Sequence, residues 1–595
     1  MVETDPKAPW RVRRGVGRAS IGVGVLLVAC QASLGLDDYV IASGASGAGD
    51  ASGASGGSGS MSVGGSASGA GGGGGLPGAG GDAGDAGGGN VEPGDAGPPA
   101  CDTTGLAALQ APVLLGPKRG VYTGSLHAEA GRETLRPHFA WGEVGSECPG
   151  VVYELELDDS CVPGALDACE FASPELDATG LEGSTFQPET DLPVATSAPV
   201  GALYAWRVRA CDSGERCSPW SEVRHLFVGR VPEDVNGDGF ADVLVPISGG
   251  TAVFFGSSQF DQISDARLDP EAYTTVFLGD VNADGFADLG AVVGYAATMG
   301  QAPHVLFGGP DVTALAGVTL TASAGTSSTA TIIRAAGDIN GDGFSDLVVH
   351  LNNRSTTDIY FGGTTLSANP SIPLATPLDE FTAIPGSGSA GDVNGDGYDD
   401  LVLVVSPALD SAQLLLGGPA PSEALSKPIE FGVSCNFTDI SVSGGGDANG
   451  DGYDDFFVSC GGGVYAYFGA AEPGSSWAAV REPDVAVLTV ASGFDIDLDG
   501  LDDVLIGRDA AAPLLFLGKS AEYGFDAPEE GAMNDFYTAR LFAIADHNGD
   551  GLSDFVVGGY DVSVQRANGD GTLDPQSVGS FVDGAETSIQ GNVVY

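Results

Sequence analysis

Asp392-Val393-Asn394-Gly395-Asp396-Gly397-Tyr398-Asp399-Asp400 runs directly into the apolar stretch Leu401-Val402-Leu403-Val404, and the rest of the chain can be read outward from it. Side-chain oxygens stand at positions 1, 3, 5 and 9 of this nonapeptide. Gly397 at position 6 permits the bend that wraps such a loop around an ion, and the carbonyl of position 7 can turn inward as a further ligand. Hard oxygen donors without nitrogen or sulfur select Ca²⁺ over transition metals. Mg²⁺ is disfavoured because it keeps its waters and demands strict octahedral geometry. An EF-hand opens the same way but needs Glu at position 12 and flanking helices. Position 12 here is Leu403, inside a strand-like run.

The pattern occurs seven times, beginning at Asp234, Asp280, Asp338, Asp392, Asp447, Asp495 and Asp546, with steps of 46, 58, 54, 55, 48 and 51 residues. Each copy supplies a candidate ligand set in which position 7 contributes its carbonyl. The first set is Asp234, Asn236, Asp238, Phe240 and Asp242, and the second is Asp280, Asn282, Asp284, Phe286 and Asp288. The third is Asp338, Asn340, Asp342, Phe344 and Asp346; the fourth is Asp392, Asn394, Asp396, Tyr398 and Asp400. The fifth is Asp447, Asn449, Asp451, Tyr453 and Asp455, and the sixth is Asp495, Asp497, Asp499, Leu501 and Asp503. The seventh is Asp546, Asn548, Asp550, Leu552 and Asp554. A strand enters each motif, an apolar strand leaves it, and a second ends in an aromatic-Gly pair such as Phe307-Gly308 or Phe361-Gly362. A further strand leads to the next copy. Self-similarity at this period marks propellers or arrays, and four short strands per repeat is the content of a propeller blade.

The Asp-rich loop and the Phe-Gly edge resemble the FG-GAP/VCBS family, the calcium-binding propeller repeats also found in integrin α chains. The resemblance covers residues 230–595 and implies a seven-bladed β-propeller with up to seven Ca²⁺. Ala283 replaces the usual Gly in the second loop, and Asp497-Leu498 replaces Asn-Gly in the sixth; neither removes a ligand oxygen. The first unit lacks an entering strand of its own, and residues 588–595 are expected to supply it and close the ring. At about 1 mM calcium and a dissociation constant of ~0.1 mM, each site adds about 1.4 kcal/mol. Seven such sites approach ~10 kcal/mol, the net stability of a whole domain.

Residues 101–229 have a different grammar. Strand-like runs at 135–141, 151–157, 203–210 and 223–228 alternate with turn signals, which predicts a small antiparallel β-sandwich. Pro137-His138-Phe139-Ala140-Trp141, Tyr153-Glu154-Leu155, and Tyr204-Ala205-Trp206-Arg207-Val208-Arg209-Ala210 with Ser218-Pro219-Trp220-Ser221 resemble a fibronectin type III domain. The expected fold class is thus all-β, a sandwich followed by a propeller.

At the other end, Arg11, Arg13, Arg14 and Arg18 precede a short apolar run that ends in Leu27-Val28-Ala29-Cys30. The run is short for a bilayer span, which favours an export signal over residues 1–30. It resembles the lipobox of bacterial lipoproteins, which implies lipidation at Cys30. Gln31 rather than Asp follows, which in that family implies outer-membrane sorting. Residues 31–100 are almost wholly Gly, Ala, Ser and Asp, a composition that buries too little to offset its ordering entropy. They read as a tether reaching about 45 Å. The remaining eight cysteines are an even number, as expected for disulfides in an exported chain; Cys161 with Cys169 and Cys211 with Cys217 could close small loops.

The net charge of −57, from 80 acidic and 23 basic residues, makes nucleic acid a poor partner and points to metal cations as counter-charges. The expected function is a surface-displayed adhesion or ligand-binding module for a glycan or protein, held to the membrane by its lipid alone. A passive envelope component is the alternative, followed by a polysaccharide-acting hydrolase or lyase. In the resembling propellers the ligand face lies opposite the calcium loops, which nominates Tyr295, Asn352, Arg354, Arg508 and Tyr560. Catalysis is not expected: the six histidines show no paired spacing, and there is no Gly-x-Ser-x-Gly elbow.

Overall fold

The computed structural model describes residues 107–588 apart from segments between strands, the larger being 294–301, 322–329, 376–387, 431–439, 520–539 and 566–581. The export signal, Cys30 and the tether lie outside the described residues, which all belong to one compact unit.

Eight strands come first: β1 (Leu114–Gly116), β2 (Val121–Thr123), β3 (Phe139–Trp141), β4 (Val152–Asp158), β5 (Leu176–Leu181), β6 (Thr185–Phe186), β7 (Ala202–Cys211) and β8 (Arg224–Val228). They form two sheets, ordered β1-β3-β6 and β2-β8-β7-β4-β5. Pairing is antiparallel except for β2 beside β8. Side chains of a strand alternate between faces, so Tyr204, Trp206 and Val208 of β7 go inward with Tyr153, Leu155 and Leu157 of β4. They meet Phe139 and Trp141 of the other sheet, with the Phe139 and Trp206 rings edge to face at 4.9 Å. The outward residues of β7 are also ordered. The Arg207 and Arg209 guanidinium groups each lie 4.5 Å from the Trp220 ring, and Arg207 also covers Phe171 at 4.1 Å. Disulfides join Cys161 to Cys169 and Cys211 to Cys217, and Cys148 and Cys460 each belong to a separate disulfide.

From Val243 to Gln565, seven antiparallel sheets follow one another among the described residues, each built from consecutive strands. The second to fifth have four strands; the first, sixth and seventh have three. In the fifth, Ser441–Gly444 enters the Asp-rich loop, Phe456–Cys460 leaves it, and Gly463–Tyr467 and Ala478–Arg481 complete the meander. The leaving strands are buried on both faces, as in Phe456–Cys460 and Asp503–Arg508, which is why they read as continuous apolar runs rather than alternating ones. No α-helix occurs among the described residues. The first sheet begins with the strand that leaves its loop, Val243–Ile247. Residues 589–595, expected to complete it, lie outside the described residues, while Thr587–Ser588 pairs with Val582–Asp583.

The aromatic-Gly pair closes the gap between neighbouring sheets. The Gly308 amide donates to Asp288 Oδ1, and the Gly309 amide donates to the Val235 carbonyl of the preceding loop. A Cβ at Gly308 would lie 2.3 Å from Ala287 O and 3.0 Å from Val235 O. The same cradle of two backbone carbonyls surrounds Gly256, Gly362, Gly417, Gly469 and Gly518. Backbone on both sides leaves no flexible side chain to yield, so Gly308→Ala should cost about 1–3 kcal/mol. A fall in the denaturant midpoint at constant slope checks this.

Candidate metal centres

Each Asp-rich loop is folded by its own carboxylates. In the first, Asp234 Oδ1 accepts the amides of Gly237 (2.6 Å) and Asp238 (3.1 Å), and Oδ2 accepts that of Gly239 (2.6 Å). Asn236 Oδ1 accepts the Asp238 amide, and Asp238 Oδ1 accepts that of Phe240. Positions 4 and 6 adopt left-handed backbone, with φ of 80° at Gly237 and 89° at Gly239. The departures hold the same shape: Ala283 has φ 49° and Leu498 φ 58°. The position 1 pattern repeats in the second to sixth loops, for example from Gly285, Gly343, Gly397, Gly452 and Gly500.

Position 9 has a second task beyond the ligand role read from sequence. Asp242 Oδ2 accepts the Val235 amide and Oδ1 accepts the Gly256 amide, so one buried carboxylate ties the start of the loop to the aromatic-Gly turn. Asp288, Asp346, Asp400, Asp455 and Asp503 do the same. In the seventh loop Asn548 Nδ2 donates to Asp554, bringing positions 3 and 9 together; Asp550 lies outside the described residues.

Position 8 was missed by sequence reasoning. Its amide donates to the position 1 carbonyl of the preceding loop: Ala287 to Asp234, Ser345 to Asp280, Asp399 to Asp338, Asp454 to Asp392, and Asp502 to Asp447. Ala241 of the first loop donates to Asp546 of the seventh (3.3 Å), and Ser257 donates to His547 O (2.9 Å). Where position 8 is Asp, the side chain doubles the link. Asp399, Asp454 and Asp502 accept the amides of Asp338, Asp392 and Asp447. The only sequence signal was the Asp-Asp pair at the end of those three motifs.

Burial together with neighbouring carboxylates pushes these acids up. Asp280, Asp338, Asp447 and Asp495 rise to about 6, Asp234, Asp392 and Asp503 to about 7, and Asp400 to about 8. Asp346 and Asp455 reach about 9. Desolvation is the largest cause in each, offset by backbone amides. Arg230, Arg119 and Lys118 ease Asp280, Asp392 and Asp495, and an oxygen-seeking dication would supply counter-charge across the whole set. In the sixth loop, carboxylate oxygens of Asp495, Asp497 and Asp503 lie within 4.8 Å of one another. The donor set therefore fits Ca²⁺. Two other groups converge as closely, Asp158 with Asp159 and Glu175, and Glu154 with Cys211 and Cys217. The second holds a disulfide and so offers no thiolate.

The sandwich covers this face. Ser125 Oγ donates to Gly237 O (3.2 Å), the Val200 amide donates to Ala283 O (2.9 Å), and His127 Nε2 bonds to Asp284 O (2.8 Å) while its ring stacks on Phe286 at 4.1 Å. Pro199 adjoins Gly343, Tyr398 donates to Pro163 O, and Leu114 and Leu115 adjoin Gly500. Lys118 pairs with Asp502, and Arg119 and Glu222 border Gly452. Six of the seven loops thus touch it. Of the residues expected on the opposite face, Arg508 ends the strand Asp503–Arg508 and is buried. Tyr295, Asn352, Arg354 and Tyr560 lie outside the described residues.

No protein-family model and no curated protein matches the sequence. Among solved structures, the chain is similar to BBS1N from a complex with ARL6DN (10% identity, 56% of this chain, 88% of that chain, TM-score 0.35). It is also similar to AofleA from Arthrobotrys oligospora (10% identity, 57% and 95%, TM-score 0.28) and to Trypanosoma rangeli sialidase (12% identity, 55% and 56%, TM-score 0.26). The expectation that the chain is no enzyme is corrected on this point. A sialidase and an α-L-rhamnosidase stand among the similar structures. At these TM-scores no activity passes to this chain.

Two outcomes are expected. Without metal, the folded state holds more protons than the unfolded chain between the ordinary carboxylate range and about 6–9. The stability of EDTA-treated protein should therefore fall as pH rises from about 5 to 9. With calcium bound the ionised form is favoured, and stability should instead fall as acid displaces the ion. Melting curves across pH in EDTA and in CaCl₂ should have opposite slopes. Leu498→Gly removes a left-handed Leu that is 50% exposed and should stabilise the protein by about 1 kcal/mol, read from the denaturant midpoint.

Proposed function

We propose that the chain is a calcium-binding surface lipoprotein that presents a seven-bladed β-propeller of the FG-GAP/VCBS kind as an adhesion or ligand-binding module. The observation that carries this is the loop itself: seven copies of one oxygen-only donor set, folded alike in the first six. The loop-to-loop amide bonds that return from Asp546 to Ala241 support a closed ring. The two facing sheets of residues 114–228 support a fibronectin type III-like domain within 101–229, ahead of a propeller at 230–595. The signal at 1–30, lipidated Cys30 and the tether at 31–100 would display both domains at the outer membrane.

Positions 1, 3, 5 and 9 and the position 7 carbonyl would hold each Ca²⁺. When bound, the ion neutralises carboxylates that burial otherwise protonates. The chain's own residues do the rest: position 1 gathers two or three amides, position 9 staples the loop to the next turn, and position 8 links adjacent loops. Because the sandwich lies over the loop face, a glycan or protein partner is assigned to the opposite face, where Tyr295, Asn352, Arg354, Arg508 and Tyr560 are the nominated contacts.

Chelator-stripped protein titrated calorimetrically with CaCl₂ should take up as many as seven ions and melt higher, and elemental analysis should find calcium. Identical melting in EDTA and CaCl₂ with no bound metal would overturn the calcium reading. Glycan and protein arrays with and without chelator should give calcium-dependent binding. No binding on either array would reduce the chain to a structural envelope component.

A further inference from the structure

We propose that the sandwich senses the metal loops: it is seated on the sheet array when the loops hold their cations and lifts from the first and second loops when they do not. This rests on the calcium reading above. Its basis is where the docking bonds end. Ser125, Val200 and His127 bond to the carbonyls of Gly237, Ala283 and Asp284, at positions 4 and 5 of two loops. None of the three bonds goes to a loop side chain, so the sandwich reads backbone shape. That shape depends on left-handed backbone at position 4 and on position 1 gathering the amides of the following turn. The same turn carries the position 1, 3 and 5 oxygens that would hold the ion. Stripping the ion removes the centre on which those oxygens converge, and the turn relaxes at the expense of the wrap. Hydrogen bonds fail over a few tenths of an ångström, so the three carbonyl contacts are the first to go.

Charge opposes release. Lys118 pairs with Asp502, and Arg230 lies 3.7 Å from Asp280. Neither attraction runs through a loop carbonyl. Ion pairs tolerate changes of distance that hydrogen bonds do not. The motion is therefore an opening at the carbonyl contacts, with the sandwich still held at Lys118.

Hydrogen exchange on the full chain tests this, because the Val200 amide is itself one of the docking bonds. In excess calcium Val200 should be protected. In EGTA its exchange should quicken about tenfold or more, while Trp206 and Val208 in the sandwich core and Val458 in the fifth sheet keep their rates. His127→Ala in calcium should speed Val200 exchange and leave the calcium stoichiometry unchanged. Unchanged Val200 exchange in EGTA, with calcium uptake proven calorimetrically, would overturn the proposal and leave the calcium reading standing. Loss of protection throughout the sheets would show collapse rather than release and would also overturn it. Absence of calcium uptake would overturn both.

Discussion

Neighbouring sheets are joined through the backbone of the Asp-rich loops, and the array depends on that joint. A three- or four-stranded sheet needs its apolar faces covered to be stable. Here the first six each make two kinds of bond to the loop before them, a position 8 amide on a position 1 carbonyl and the amide after the aromatic-Gly pair on a position 2 carbonyl, and the Gly of that pair packs directly against the second carbonyl. Both acceptors sit in loops folded by buried carboxylates at positions 1 and 9. Whatever fixes the charge of those carboxylates therefore fixes the packing of one sheet on the next. The carboxylate-folded loop and the joint between sheets are one device.

That coupling explains the number of acids better than solubility does. A position 9 Asp such as Asp455, buried and pushed up to about 9, is costly as an anion. It is retained because no neutral side chain of its size accepts two amides on opposite sides. Asn would present a donor to one of them. The acid's cost in the metal-free state and its usefulness in the loop are the two faces of one choice, and the opposite pH slopes expected with and without metal express it.

The repeat was legible in sequence because the carboxylates that fold each loop recur at fixed spacing. Strand content was legible for the same reason: Asp503–Arg508 and Phe456–Cys460 are continuous apolar runs after a turn. In the sandwich, the long alternating strands β4 and β7 could be read, but β1, β2 and β6 have only two or three residues and carry no period. The loop-to-loop bonds were not legible, since most use backbone that any residue supplies. The seating of the sandwich was hidden for that reason as well. His138 and His127 look alike in sequence, yet only His127 reaches a loop carbonyl and an aromatic face.

The way the sandwich is turned on the array follows from an asymmetry among the loops. Position 8 is Ala or Ser in the first three loops, as Ala241, Ala287 and Ser345, and Asp in the next three, as Asp399, Asp454 and Asp502. The neutral half meets the sandwich through Ser125, His127, Pro199 and Val200. The acidic half meets Lys118, Arg119 and Arg224, which line a cleft with Asp447, Asp454 and Asp502. Seven similar loops would offer seven similar seats if shape alone decided. Shifting the sandwich by a few sheets would move Lys118 away from Asp502 and strand that acid, which is 3% exposed, without its cation. Complementary charge thus selects one seat among several that backbone shape would allow. Arg230, stacked near Tyr122 and Phe227 and facing Asp280, pins the neutral half in the same rotation.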